Sequence, residues 1–279
     1  MSKYKAFTVS QIPSLIKEGR GQGHGPDYSP WITVRDVPSR GKSSRENGWT
    51  TGRSHHLLSS GELFFFYILD WSSKVKDIRE QYPLLPIDET MAIAERLGIR
   101  HPIDNKTGES IVMTTDFLID VEVNGDIELI ARSVKEKPED LATDRTIEKL
   151  EIERTYWKER GIDWGIIIKS DISLAMVKNI EWIHSSLELD DSLGIPPELI
   201  LQVEHSLFEA VSSPVLSLSH AALSVDKKLG LKVGASLGLV KHLIAKRYWT
   251  VDMATFINPS KAIVVERSTL LKNYEGMSA

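Results

Sequence analysis

Cysteine is absent from all 279 residues. That excludes a disulfide framework, thiolate zinc sites and a cysteine nucleophile, and it fits a reducing cytoplasm. No apolar run approaches the roughly 20 residues needed to span a bilayer. The start, Met1-Ser-Lys-Tyr-Lys5, is polar, so neither export nor membrane insertion is expected, and a cytoplasmic location is. Also missing are a Gly-x-x-x-x-Gly-Lys loop, a His-Glu-x-x-His helix and a nucleophile elbow. The chain therefore carries none of those local signatures of nucleotide cradling, zinc hydrolysis or serine hydrolysis. No internal repeat or low-complexity tract is visible.

What is there is globular. A hydrophobic fraction of 41% with 26% charged residues belongs to a soluble protein of one large or two ordinary domains. The net charge of −5 argues against a protein that coats nucleic acid unaided. Its distribution is uneven: residues 1–60 hold nine Lys or Arg against four Asp or Glu, and the acidic excess lies beyond them. A basic leading segment suits contact with phosphates, or a solvated arm.

That segment contains Gly19-Arg-Gly-Gln-Gly-His-Gly25 and then Pro26-Asp-Tyr-Ser-Pro-Trp31. The glycines permit close backbone approach and the prolines forbid a helix interior. Two readings stand: an arm draped over nucleic acid, or a packed irregular arm. Arg20, His24, Arg53, His55 and His56 are the candidates for phosphate contact. His55 and His56 are adjacent, so they point apart and do not share one ion. A structural role or a phosphate contact fits them better.

The chemistry concentrates in residues 113–135. Met113-Thr-Thr-Asp-Phe117 sets an acid into an apolar run, and Ile127 to Lys135 reads as a strand ending in lysine. Asn124-Gly125-Asp126 between them is a hairpin turn. The hairpin brings Asp116 and Lys135 near one another at one end of a sheet. A carboxylate for a divalent metal beside a lysine for a developing anion is equipment for phosphodiester hydrolysis. Charged strand ends are also common in ordinary hairpins.

Upstream, Ser59 and Ser60 are good caps for a helix running through Glu62 to Trp71, apolar nearly all round and hence buried. Glu62, the acid of its first turn, serves either the helix dipole or a metal. Further elements are a strand at 75–82, a helix at 88–97 closed by Gly98, a charged helix at 144–160 stopped by Gly161, and a strand at 164–169. The first half is thus α/β, a mixed sheet covered by helices. Beyond residue 180 the chain turns mainly helical, with helices at 180–187, 198–211, 218–229 and 233–246, then strands at 248–252 and 261–266. Helix, turn, helix, hairpin is the winged-helix order. Its second helix carries Lys241, His242, Lys246 and Arg247, a sparse set for a groove reader. DNA and protein contact are both open for this domain. The boundaries read as 1–180 and 181–279.

Several segments together resemble the TnsA family of transposon-end endonucleases: Lys17 to Gly25, His55-His-Leu-Leu-Ser59, Asp77-Ile-Arg-Glu-Gln-Tyr-Pro-Leu-Leu-Pro86, Met113 to Phe117, and Glu148-Lys-Leu-Glu-Ile-Glu-Arg-Thr-Tyr-Trp157. They stand in the family's order within the first 185 residues. The resemblance implies a restriction-endonuclease-like catalytic domain, with Glu62 and Asp116 as metal ligands and Lys135 as the active-site lysine. The Val134 carbonyl is a further implied ligand. The residue two before the lysine is usually acidic or amide in this fold; here it is Ser133, an auxiliary ligand at most, which leaves one metal ion or two open. Glu136 is a substitute only if its side chain reaches the same side as Lys135. The implied reaction is Mg²⁺-dependent cleavage, with Mn²⁺ able to substitute, of the 5′ strand at each transposon end. Implied partners are a DDE-type transposase that cuts the other strand, an AAA+ ATPase regulator and an RNA-guided targeting complex. The competing reading from another class is a non-catalytic assembly module.

Overall fold

The computed structural model describes residues 7–37 and 43–271; residues 1–6, which include the polar start, 38–42 and 272–279 lie outside the description. The chain forms two compact units, Met1–Ile172 and Ser173–Ala279. The division falls before the helix that opens at Leu174, not at residue 180. Ser173 caps that helix, accepting from the Met176 N–H.

The first unit runs α1 (Ile12–Lys17), β1 (Ser44–Asn47), β2 (Ser54–Leu57), α2 (Ser60–Trp71), β3 (Val75–Pro83), α3 (Ile87–Arg96), β4 (Thr114–Val123), β5 (Asp126–Lys135), α4 (Asp144–Lys158) and β6 (Asp163–Ile168). Its four-stranded sheet has the order β3-β4-β5-β6. β3–β4 and β4–β5 are antiparallel, whereas β5–β6 is parallel. The β4–β5 turn holds Asn124 and Gly125 at φ +54° and +94°, the left-handed pair a two-residue hairpin needs. A parallel neighbour needs a crossover, and α4 supplies it.

Helices cover both faces. On one, Phe65 of α2 packs edge-on against Phe117 of β4, ring centroids 5.5 Å apart. On the other, Ile93 and Ala94 of α3 and Ile152, Tyr156 and Trp157 of α4 close over Leu118 and Ala131. Each large apolar side chain so buried contributes roughly 1.5–3 kcal/mol. α2 starts where the sequence placed it, with Ser59 Oγ accepting from the Glu62 N–H at 3.1 Å; such a cap is worth about 1 kcal/mol. Gly98 and Gly161 follow α3 and α4 with φ of +66° and +67°.

The N-terminal segment is the packed alternative of the two readings. Trp31 is wholly buried among Phe7, Leu15, Ile87 and Val112. β1 and β2 form a small antiparallel ladder that the polar run Ser-Arg-Glu-Asn did not announce. The loop between them is tied to α2 by the buried Asp70 carboxylate, which accepts from the N–H groups of Trp49 and Thr50, both at 2.9 Å.

In the second unit α5 (Leu174–Ile183) begins earlier than predicted, followed by α6 (Ile200–Val211), α7 (Leu218–Leu229) and α8 (Ala235–Ala245). Asp226, near the end of α7, accepts from the N–H groups of Gly234 and Ser236, so a buried carboxylate of the first helix caps the start of the second. The two predicted C-terminal strands contract to β7 (Trp249–Thr250) and β8 (Glu266–Arg267), an antiparallel pair. The predicted strand at 261–266 is corrected: only its last residue pairs. Residues 259–261 instead hold the first turn of α7, whose Leu218 and Ser219 N–H groups donate to the carbonyls of Lys261 and Pro259. Buried Glu204 of α6 ties β7 and β8 together through Trp249 Nε1 and Arg267.

Candidate active site

At one end of the large sheet, two carboxylates from different elements converge on one amide. Glu62 lies in the first turn of α2, and its Oε2 accepts from the Leu58 N–H at 2.9 Å. Asp116 of β4 accepts at Oδ2 from the Val134 N–H of β5 at 2.6 Å. Between them Gln81 Nε2 stands 3.3 Å from Glu62 Oε2 and 3.5 Å from Asp116 Oδ1. Lys135 Nζ donates to the Val134 carbonyl at 3.1 Å, so the ammonium lies one peptide from the Asp116 contact. The three residues named from sequence, Glu62, Asp116 and Lys135, are thus gathered around a site that also includes Gln81 and Val134.

The electrostatics are those of an uncompensated acid pair. Glu62 is buried, and burial together with the Asp116 charge pushes its pKa up to about 8, against the opposing hydrogen bonds from Leu58, Ser59 and Gln81. The helix-dipole role and the metal role are therefore compatible: the N-terminus of α2 favours the carboxylate, but not enough to keep it ionised beside Asp116.

Strand alternation fails at this site. Glu80 and Phe117 face the α2 side, where they meet His55 and Phe65. Tyr82 and Thr115, two residues along each strand, instead meet Trp157 and Glu153 of α4. The cause on β3 is Gln81 itself, which sits at φ +49° and turns the strand over. Both strands change face between the pairs Glu80–Phe117 and Tyr82–Thr115, which frees Gln81 and Asp116 to project at the sheet end.

Behind the site is a third acid. Glu153 of α4 is buried, and its Oε1 accepts from Ser133 Oγ at 2.6 Å, Thr115 Oγ1 at 2.7 Å and Trp164 Nε1 at 3.1 Å. Burial, then the nearby Asp116 charge, raises its pKa. Ser133 is therefore corrected: its hydroxyl donates to Glu153 and not to Glu62 or Asp116. Glu136 is not a substitute ligand either. It accepts from the Gly61 N–H at 2.6 Å and from Ser60, and pairs with Lys169 at 3.2 Å, closing the N-terminus of α2.

The residues proposed for phosphate contact are mostly engaged inside the protein. His55 is wholly buried between Thr51 Oγ1 at 2.7 Å and Glu80 Oε2 at 2.8 Å. Arg53 forks onto the same Glu80 at 2.6 and 2.9 Å. Burial alone would raise the Glu80 pKa, but Arg53 and His55 outweigh it and bring it down to about 2. Arg20 is bound to Asp36, Glu18 and the Trp31 carbonyl. His56 is half-buried, accepts at Nδ1 from the Val34 N–H, and burial lowers its pKa, which disfavours the cation. Arg20, Arg53, His55 and His56 are therefore held by partners within the protein, as a structural role requires. His24 alone of the five keeps a largely exposed side chain.

His24 belongs to a second group of potential ligands, with Asp77 and Asp120, whose atoms lie within 4.8 Å of one another. The cation there is already supplied. Arg79 pairs with both Asp77 and Asp120, and the Gly25 N–H donates to Asp77. A further divalent ion would have to displace a buried guanidinium.

Two residues of the site were missed in the sequence. Glu153 carried a signal, since it shares the helical stripe of Leu150 and Trp157 and so had to be a buried acid. Gln81 carried none: a glutamine in the left-handed region cannot be read from strand periodicity.

Comparison with known proteins adds the family. The model for the TnsA-like endonuclease N-terminal domain matches residues 72–169, and that for the TnsA endonuclease C-terminal domain matches residues 171–253. Over 246 residues, 87% of this chain and 86% of the other, the sequence is 42% identical to the transposon Tn7 transposition protein TnsA of Escherichia coli. With its helix-flanked mixed sheet of restriction-endonuclease type, the chain belongs to the TnsA endonuclease family.

Proposed function

We propose that this chain is the metal-dependent endonuclease subunit of a heteromeric transposase, hydrolysing the 5′ strand at each transposon end. The observation that carries the reading is the convergence of Glu62 and Asp116 on Gln81 beside Lys135. The pair fits a divalent cation, because a neutral amide joins the two acids and leaves their charge uncompensated, as the raised Glu62 pKa reflects. Glu62, Asp116 and the Val134 carbonyl would hold Mg²⁺, with Mn²⁺ as a substitute, and the ion supplies charge neutralisation at the scissile phosphate.

The chain's own groups do the rest. Asp116 is fixed at one oxygen by the Val134 N–H, which holds the other, facing the Gln81 amide, at the sheet end. Lys135 places a cation where negative charge develops in phosphodiester hydrolysis. Glu153, anchored by Ser133, Thr115 and Trp164, lies behind Asp116, close enough for the Asp116 charge to raise its pKa.

By kinship the substrate is transposon-end DNA and the partner a DDE-type transposase that cuts the other strand. An AAA+ ATPase regulator and an RNA-guided targeting complex extend the same reading. In the second unit, the basic side chains at the second helix of the proposed winged helix are engaged: Lys241 lies over the Trp182 ring at 4.9 Å, His242 bonds the Ser186 carbonyl and Lys246 pairs with Glu188. That favours a protein partner over a DNA groove for this unit.

A non-catalytic assembly module is the competing function, and the acid pair argues against it, since two close carboxylates, one of them buried, are costly where they serve only packing. Strand-resolved cleavage of end DNA with the transposase in Mg²⁺ decides between them. Asp116→Ala is expected to lose the 5′ cut while 3′ cutting persists; a wild-type chain that binds DNA and partner but makes no 5′ cut would establish the module.

A further inference from the structure

The sheet offers two pairs of close carboxylates, and it treats them differently. Asp77 and Asp120 share a guanidinium, that of Arg79. Glu62 and Asp116 share only the carboxamide of Gln81. A guanidinium satisfies the charge of two acids. An amide donates a hydrogen bond to each and cancels the charge of neither.

We infer that Gln81 is a positioning residue of the active site, holding the two metal-binding carboxylates in a common orientation while leaving their charge for the ion. The inference rests on the active-site reading above and adds to it the residue that sets the geometry.

Three observations carry it. The amide is oriented: Thr114 Oγ1 donates to Gln81 Oε1 at 3.3 Å, which turns the NH₂ group, and not the oxygen, toward the acids. Both N–H groups then have a carboxylate oxygen within reach, so the amide can span acids that come from α2 and β4, elements without a covalent link nearby. The side chain is also buried, 3% exposed, so water does not compete for it. Finally the backbone is held in an unfavourable place. A left-handed glutamine costs about 1 kcal/mol. The Trp31 N–H, from the packed N-terminal segment, donates to the Gln81 carbonyl at 3.2 Å and fixes the conformation. Were filling space the only need, glycine would meet this backbone without strain.

Gln81→Gly and Gln81→Leu separate the amide from the backbone. Glycine removes both the amide and the strain; leucine removes the amide and keeps the bulk. Mn²⁺ binding to the full chain, read by electron paramagnetic resonance in the absence of DNA, is the measurement, with thermal unfolding alongside and Asp116→Asn as the reference. Loss of a group that orients metal ligands typically weakens binding about 10- to 100-fold. Both Gln81 variants are expected to lose at least about tenfold in affinity, and Gln81→Gly to do so with an unfolding temperature no lower than that of the parent. If Leu unfolds, the Gly variant carries the test alone. Parental Mn²⁺ affinity in Gln81→Gly, with binding lost in Asp116→Asn, overturns the role of Gln81 and leaves the active site standing. Parental affinity in Asp116→Asn overturns the active-site reading and this inference with it.

Discussion

Gln81 and Asp116 meet across the β3–β4 ladder, amide nitrogen to carboxylate oxygen at 3.5 Å, at the step where both strands change face. The contact joins two parts of the molecule that are remote in sequence. Trp31 holds the Gln81 backbone, and Val134, next to the lysine, holds the Asp116 side chain. The site is therefore assembled by an arm, three strands and a helix end, and its residues answer to different perturbations.

Glu62 gives a pH signature in the metal-free protein. Its folded pKa of about 8 lies above the ordinary value of 4.5, so the folded state keeps a proton that the unfolded state has released. The stability this confers is present below pH 4.5 and disappears as pH rises through about 8. Glu62→Gln carries no such dependence. Thermal unfolding in chelator at pH 5 and pH 8 is expected to show the variant gaining on the parent by on the order of a few kcal/mol at the higher pH.

Metal addition should reverse that loss. At pH 8, Mg²⁺ at about 100 times its dissociation constant is worth roughly 2.7 kcal/mol to a folded state that alone binds it. The parent is expected to unfold at a higher temperature in Mg²⁺ than in chelator. Asp116→Ala should show no such rise, and an equal rise in both would move the ion to another site.

Glu80 predicts the opposite pH behaviour. Its folded pKa of about 2 lies below 4.5, so it stabilises the fold above pH 4.5 and ceases to do so as pH falls through about 2. Glu80→Gln leaves Arg53 and His55 without their buried partner and should cost about 3–5 kcal/mol at pH 7. Denaturant titration is expected to show the difference shrinking toward pH 2. Were Arg53 and His55 phosphate contacts instead, His55→Ala would reduce the salt dependence of DNA binding; the buried arrangement predicts an unchanged slope.

Ser133 and Glu153 are separable by substitution. Ser133→Ala removes one of the donors to Glu153, leaving Thr115 and Trp164, and is expected to cost about 1 kcal/mol of stability with cutting largely retained. Glu153→Ala removes the acid behind Asp116 and should lower 5′ cutting about 10- to 100-fold. Strand-resolved cleavage with the two variants side by side checks the order, and the reverse order would return Ser133 to the metal site.

Much of this protein was legible along the chain. Apolar periodicity and the punctuation of Ser59, Gly98, Asn124-Gly125 and Gly161 are local signals, and α2, α3, the β4–β5 hairpin and α4 begin and end close to where those signals stand. Local rules also brought forward Glu62, Asp116 and Lys135, because an acid in a buried first turn and charges at strand ends are visible in one dimension.

Tertiary structure decided the rest. Whether Arg53 and His55 face solvent depends on Glu80, which lies on another strand, and no spacing within residues 53–56 reports that pairing. Ser133 was placed beside the metal by its distance from Lys135, but the hydroxyl follows Glu153, which the α4 crossover delivers to the same face. Gln81 is the clearest case. Sequence sets a strand through it, whereas its left-handed backbone and its place between two acids exist only once Trp31, Thr114 and α2 have packed around it, because the energy that holds a strained residue comes from contacts its own segment cannot make.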